Sequence, residues 1–223
     1  MRIGVISDIH ANLVALEAVL DDMPPVDRLV CAGDVIGYNP WPAECVERVR
    51  ERCAVTVRGN HDRNADTPNT YSMNRMAHEG LKLASERLSE AQRRWLRDLP
   101  RTADLTESGV LLVHDHPEHV DQYVRPHSFP QLRPYLDDYE ACILGHTHVQ
   151  HEATVDGRLI LNPGSVGQPR DEDPRAAYAV VDTAPSPMVA HLHRVEYDVA
   201  AVQEACREAG LPERTAERLE LGR

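Results

Sequence analysis

The sequence predicts an α/β fold of two β-sheets packed face to face with helices outside, and three observations lead there. The first 60 residues alternate short Val/Ile/Leu runs with helical patterns, the rhythm of parallel strands joined by crossover helices. From residue 102 onward, strand-like runs follow one another with little helix between them. Acidic, amide and imidazole residues stand where these runs end, as they do when an open α/β fold builds a site beyond its strands.

In chain order, residues 2–7 read as a strand. Asn12 can cap a helix that carries Leu13, Leu16, Val19 and Leu20 on one face. Residues 28–31 form a second strand, and Pro40 and Pro42 break the chain before a helix over 43–52. A third strand spans about 54–58. Residues 70–98 hold Met73, Met76, Leu81, Leu83, Leu88 and Trp95 among charges, with a capping-box pattern from Ser89 to Gln92; they read as two helices over one edge of the site. Strands follow near 102–106, 109–114, 141–145, 149–155, 158–162, 176–182 and 188–196, with a helix near 127–137 between them. Asp156-Gly157 is a two-residue hairpin signal. Asp198 can cap a last helix through Cys206, which Gly210 and Pro212 stop. Residues 213–223 are polar and are expected to fray. No repeat or linker divides the chain, so residues 1–223 are expected to form one domain.

Hydrophobic residues make up 42% of the chain but aromatic residues only 4%, so the core must be mainly aliphatic. No apolar run approaches the ~18 residues of a membrane span, and the first residues lack a signal-peptide pattern; a cytoplasmic location is expected. The five cysteines (Cys31, Cys45, Cys53, Cys142 and Cys206) form no CxxC pair, which argues against a zinc knuckle or disulfide framework. A formal charge of −12 argues against general binding to nucleic-acid backbones. It leaves a nucleotide substrate open, because bound cations reverse the local field. Lys82 is the one lysine, beside 23 arginines; GC-rich coding or adaptation to high salt would each produce this balance.

The chemistry-bearing residues are Asp8 and His10, Asp34 after Gly33, Gly59-Asn60-His61-Asp62, His114, and His146 and His148 in Gly145-His146-Thr147-His148. They are oxygen and nitrogen donors without a thiolate, suited to hard or borderline divalent metals. The set is too large for one ordinary ion and about right for two sharing a bridge. Asp8/His10 and His146/His148 are i, i+2 pairs, which an extended strand end would point to one side.

These motifs, in this order, resemble the calcineurin-like metallophosphoesterase superfamily. Residues 162–171, Asn-Pro-Gly-Ser-Val-Gly-Gln-Pro-Arg-Asp, resemble its compact bacterial and archaeal phosphodiesterase branch. The likeness covers roughly residues 1–197. It implies a four-layer α/β/β/α sandwich of two mixed sheets flanked by helices. It also implies two divalent ions, Mn²⁺ foremost, with Fe, Zn, Ni, Co and Mg as alternatives. One ion would take Asp8, His10, Asp34 and His148; the other would take Asp34, Asn60, His114 and His146. Water activated between them would hydrolyse a phosphate ester, with His61 as proton donor and Asn12 and Arg170 as phosphate contacts. The expected substrate is a small phosphodiester, including nucleotides; a phosphomonoester, diadenosine polyphosphate or phosphoprotein, or a non-catalytic scaffold role, is the alternative. A homo-oligomer is compatible with the sequence. Two positions depart from the family pattern: Asp115 and Ala11 stand where glycine is frequent after the lone His and after DxH. Asp115 is expected to bring an acid near the phosphate pocket and to tune substrate choice more than metal retention.

Overall fold

The computed structural model describes residues 1–105 and 107–223. One sheet contains β1 (Arg2–Ile6), β2 (Arg28–Cys31), β3 (Val55–Thr56), β9 (Ala176–Asp182) and β10 (Val189–Val195), in the order β10-β9-β1-β2-β3. The other contains β4 (Thr102–Leu105), β5 (Val110–Val113), β6 (Ala141–Ile143), β7 (His151–Val155) and β8 (Arg158–Asn162), in the order β4-β5-β6-β8-β7. Both are mixed. β1, β2 and β3 run parallel while β9 and β10 are antiparallel additions. β5, β6 and β8 run parallel between antiparallel edges β4 and β7. The strand expected over 102–106 is seen through Leu105, and Thr106 lies outside the described residues.

Three apolar layers hold the sandwich. Ile3, Val5, Val30, Leu112, Ile143, Leu161 and Val181 meet between the sheets. The outer face of the first sheet packs on α1 (Leu13–Asp22), α2 (Pro42–Arg52), α4 (Arg75–Arg87) and α5 (Glu90–Asp98). The outer face of the second is covered by Phe129, Leu132 and Leu136. The aliphatic core expected from composition is realised. Tyr178 and Phe129 are the aromatic side chains among its largest fully buried members.

The expected caps form. Asn12 Oδ1 accepts from Ala15 N at 3.1 Å, and Ser89 and Gln92 close a reciprocal box. Asp198 Oδ1 accepts from Ala201 N at the start of α6 (Val199–Glu208). Asp156 and Gly157 both take positive φ, 48° and 79°, as a type I′ hairpin demands.

Two expectations are corrected. The segment expected as a helix near 127–137 is a 3₁₀ stretch, Pro126–Tyr135, because Pro130 and Pro134 inside it lack the N–H of an α-helical hydrogen bond and their rings clash with the carbonyl one α-turn back. Residues 213–223, expected to fray, form α7 (Glu213–Glu217) and a closing turn. Ala216 and Leu219 are buried there with Val202, Cys206 and Leu211. All five cysteines are free thiols, and among the described residues no helix is long and apolar enough to cross a membrane.

Candidate metal centre and active site

The parallel strands of both sheets deliver their C-terminal ends to one place. Asp8 and His10 follow β1, Asp34 follows β2, Asn60 and His61 open the short helix α3 (Asn60–Arg63) after β3, His114 follows β5, and His146 and His148 follow β6. All seven expected ligands and His61 are buried. The i, i+2 pairs do not converge by strand alternation as expected. Asp8, His10, His146 and His148 lie beyond the strands with φ of 52°, 48°, 69° and 59°, and Asp34 has φ 55°. These are left-handed turns, tolerated best by Asp, Asn and His among side-chain-bearing residues. Ala11 shares this geometry at φ 54°, which explains why glycine suits that position. Close approach adds to the constraint: a Cβ on Gly59 would strike Asp34, and one on Gly145 would strike Ser7 Oγ.

Second contacts fix each ring. His10 Nδ1 faces Ile36 O at 3.1 Å, His114 Nδ1 faces Ala32 O at 2.7 Å, and His148 Nδ1 faces Gln168 O at 2.6 Å. A carbonyl only accepts, so each Nδ1 carries the proton and each Nε2 turns a lone pair inward. His10 Nε2 and His148 Nε2 lie 3.0 Å apart. Two lone pairs at that distance repel unless a cation lies between them. Asp8 Oδ1 is 3.3 Å from His148 Nε2 and 3.8 Å from His10 Nε2. Asp34 Oδ2 is 3.7 Å from His10 Nε2 and 3.4 Å from His114 Nε2, so one carboxylate oxygen faces both halves of the cluster. Asn60 Oδ1 lies 3.1 Å from His114 Nε2, while its Nδ2 donates to Tyr71 Oη and so fixes the amide with oxygen inward. His146 is held differently: its Nε2 donates to Asp121 O at 3.3 Å, its ring stacks on Tyr123 at 4.1 Å, and Nδ1 is the nitrogen left for a ligand. Three groups have ligand atoms within 4.8 Å of one another: Asp8/His10/His148, Asp8/Asp34/His114 and His10/Asp34/His61.

The electrostatics also call for positive charge. Burial, reinforced by Asp34, raises Asp8 to about 6 and Asp62 to about 7. Burial alone would raise Asp34, but His114 and then His61 hold it well below the usual carboxylate range. Burial alone would lower His114, yet Asp34, by charge and hydrogen bond, carries it up to about 10. Burial lowers His10 and His148 well below the usual imidazole value and takes His61 and His146 down to about 4. The donor set therefore fits divalent cations: a His114 proton is the substitute when none is bound.

Asp62 is a clamp. Its carboxylate accepts from Asp34 N at 2.8 Å, Val35 N at 2.9 Å, Ile36 N at 3.3 Å and Gly59 N at 3.0 Å, tying the loop after β2 to the loop after β3. Asn12 is corrected from phosphate contact to structural tie, since its amide caps α1 and also donates to Gly167 O at 3.1 Å, leaving it fully buried. Asp115 is also corrected. It does not line the pocket; it accepts from Arg101 at 3.3 Å and from Asp121 N at 2.6 Å, holding the loop whose Asp121 carbonyl fixes His146. His116 and His119 stack on each other at 4.6 Å outside the pocket, and His127 and His191 are exposed.

The pocket is lined by Asp34, Asn60, His61, His146 and His148 together with Arg170. Tyr38, Tyr71, Asn74, Tyr123 and Arg218 also line it and carried no signal in strand or helix periodicity. His61 stands between the Tyr38 and Tyr71 rings, at 4.8 Å and 5.0 Å. Its Nδ1 is buried and has no hydrogen-bond partner among the described residues.

Residues 1–186 match the Calcineurin-like phosphoesterase superfamily domain. The chain belongs to this superfamily. It is 33% identical to the uncharacterized protein MJ0912 of Methanocaldococcus jannaschii, over 99% of this chain and 98% of that one. It is 26% identical to the phosphodiesterase YfcE of Escherichia coli, over 82% of this chain and 88% of that one. The crystal structure of a metallophosphoesterase from Sphaerobacter thermophilus superposes with a TM-score of 0.85 at 37% identity, over 100% of this chain and 99% of that one. A calcineurin-like phosphoesterase uses divalent metal ions, and the Asp/His clusters here are the residues able to hold them.

Proposed function

We propose that the protein is a phosphodiesterase acting on small phosphate esters, nucleotides among them, with two divalent ions per chain. Asp8, His10, Asp34 and His148 hold one ion; Asp34, Asn60, His114 and His146 hold the other. The single observation that carries this reading is Asp34 Oδ2, set between His10 Nε2 and His114 Nε2 at 3.7 Å and 3.4 Å. When bound, such a pair of ions makes water nucleophilic at neutral pH and draws charge from the phosphoryl oxygens. Mixed carboxylate, amide and imidazole donors accept Mn²⁺ together with Fe, Zn, Ni and Co, and Mn²⁺ is the first ion to test; five free thiols suit a reducing cytoplasm.

His61 is the proton donor to the departing alkoxide. Its Nδ1 is buried and has no hydrogen-bond partner among the described residues, which leaves Nε2 as the working atom. Burial depresses its basicity, and the negative charge of a bound ester acts in the opposite direction. Arg170 Nη2 reaches Tyr38 Oη at 3.2 Å and Gln168 Oε1 at 2.7 Å, which aims its guanidinium along the pocket wall to contact the substrate phosphate.

The test is metal analysis of Mn²⁺-reconstituted protein beside turnover of bis-p-nitrophenyl phosphate and p-nitrophenyl phosphate. Two ions per chain and faster turnover of the diester are expected, with Asp34→Asn losing both ions. One ion at most, or turnover of the monoester alone, refutes the reading.

A further inference from the structure

The C-terminal segment, beyond the residues that match the family domain, reaches the active-site pocket and adds a second arginine to it. Arg218 follows α7 and lines the pocket with Arg170, Tyr38 and His148. The segment is anchored. Leu219 is buried in the cluster formed with α6, Glu172 N donates to Gly222 O at 2.9 Å, and Gly222, at φ 61°, sits against the backbone of Asp173. The loop that receives it, 171–173, directly follows Arg170. The fold thus brings two guanidinium groups to one pocket from positions nearly 50 residues apart in the chain.

Their partners are unusual for so acidic a chain. Among the described residues neither Arg170 nor Arg218 pairs with an Asp or Glu, whereas Arg194 pairs with Asp171 and Arg223 with Glu172 close by. Arg170 donates to Tyr38 and Gln168, and its buried Nε has no partner. Arg218 donates through Nε to the carbonyl of Arg223, and its other guanidinium nitrogens make no hydrogen bond among the described residues. Burial, then the charge of Arg170, pushes Arg218 down to about 10. Two like charges held together in a half-buried wall lack an anion. Arg170 is tied to the candidate metal centre, its backbone N–H bonded to His148 O at 3.1 Å. Arg218 is the outer member of the pair.

We propose that Arg218, with Arg170, binds a second phosphate of the substrate, so that the preferred substrates are phosphate esters carrying an additional phosphate group. This rests on the phosphodiesterase reading for the first phosphate only. Binding is measured by calorimetry on Mn²⁺-loaded protein, comparing thymidine 5′-phosphate with thymidine 3′,5′-bisphosphate and AMP with ADP, so that two phosphate spacings are sampled. A charge-assisted contact predicts about 10- to 100-fold tighter binding of the doubly phosphorylated member of at least one pair. Arg218→Gln should reduce that advantage to about threefold or less, and Arg218→Lys should restore part of it, a point charge replacing a fork. Thermal melts of both variants check that α7 stays docked. Turnover of thymidine 5′-(p-nitrophenyl phosphate) and of its 3′-phosphorylated analogue gives a second readout, in which Arg218→Gln should lower the ratio of the second to the first by about tenfold. An advantage retained while no ester is hydrolysed would overturn the phosphodiesterase reading and support the clamp. No advantage in either pair, or an equal one in folded Arg218→Gln, overturns the clamp whatever the enzyme hydrolyses.

Discussion

Replacing Asp62 by alanine should destabilise the protein more than the loss of any one metal ligand. Four buried backbone N–H groups, of Asp34, Val35, Ile36 and Gly59, end on its carboxylate at 2.8–3.3 Å. An orphaned buried donor costs roughly 1–3 kcal/mol. If one water fills the vacated space and accepts two of the four, two donors remain unpaired, and the loss is about 2–6 kcal/mol. Relief of burying a carboxylate whose pKa stands near 7 offsets part of this. At roughly 2–4 °C per kcal/mol for a chain of this size, Tm should fall by about 4–24 °C before that offset. Asparagine should rescue little: its single oxygen serves one pair of donors, and its NH₂ faces the other pair. Urea unfolding of metal-free protein, with calorimetry, measures both variants. Asp62→Asn with wild-type stability would refute the hydrogen-bond reasoning, because the donors it leaves unpaired would then cost nothing.

Three further outcomes follow from the site. His61→Ala should cost about 10²–10⁴-fold on an alkyl or nucleoside ester and noticeably less on a nitrophenyl ester, whose leaving group departs as a stable anion; steady-state kinetics with metal analysis reads this, and loss of an ion would make His61 a ligand. Tyr71→Phe removes the acceptor that turns the Asn60 amide, so metal affinity at one of the two sites should fall about 10- to 100-fold in competition titrations, while an unchanged affinity would show that the amide orients without it. In the metal-free protein His114 holds its proton up to about 10 while Asp8 and Asp62 have already ionised above about 7. Only neutral His114 can ligate, so Mn²⁺ affinity should rise by about tenfold per pH unit from roughly 7 toward 9, and a flat profile there would remove His114 from the ligand set.

The candidate ligand residues stood out because each closes an apolar run, and runs and donors are both local in sequence. Their geometry was not. The spacing of Asp8 and His10 suggested strand alternation, whereas both sit in left-handed turns set by contacts such as His146 N on Asp8 Oδ2 at 3.0 Å, across 138 residues. Asp62 was visible as the last residue of the Gly59–Asp62 motif, but its grip on the loop of Asp34 depends on how β2 and β3 align. Pro130 and Pro134 are in plain view in the sequence and rule out a regular α-helix over Pro126–Tyr135. The tail was misjudged on composition: its two buried apolar residues, Ala216 and Leu219, suffice because α6 already offers them a surface. Tyr71 and Arg218 enter the pocket from segments with no ligand motif, so only tertiary structure reveals them.

The left-handed backbone at Asp8, His10, Asp34, His146 and His148 bears on how ions come and go. Such conformations cost roughly 1–2 kcal/mol each for a residue with a side chain, less for Asp and His. They are maintained here by glycine contacts, carbonyl hydrogen bonds and the Asp62 clamp, none of which involves an ion. The backbone turns that carry the candidate ligands therefore hold without help from a cation, whereas His10 Nε2 and His148 Nε2, 3.0 Å apart, call for one between them. Exchange of one divalent ion for another would proceed without refolding, and a stripped protein would keep the fold on which recharging depends.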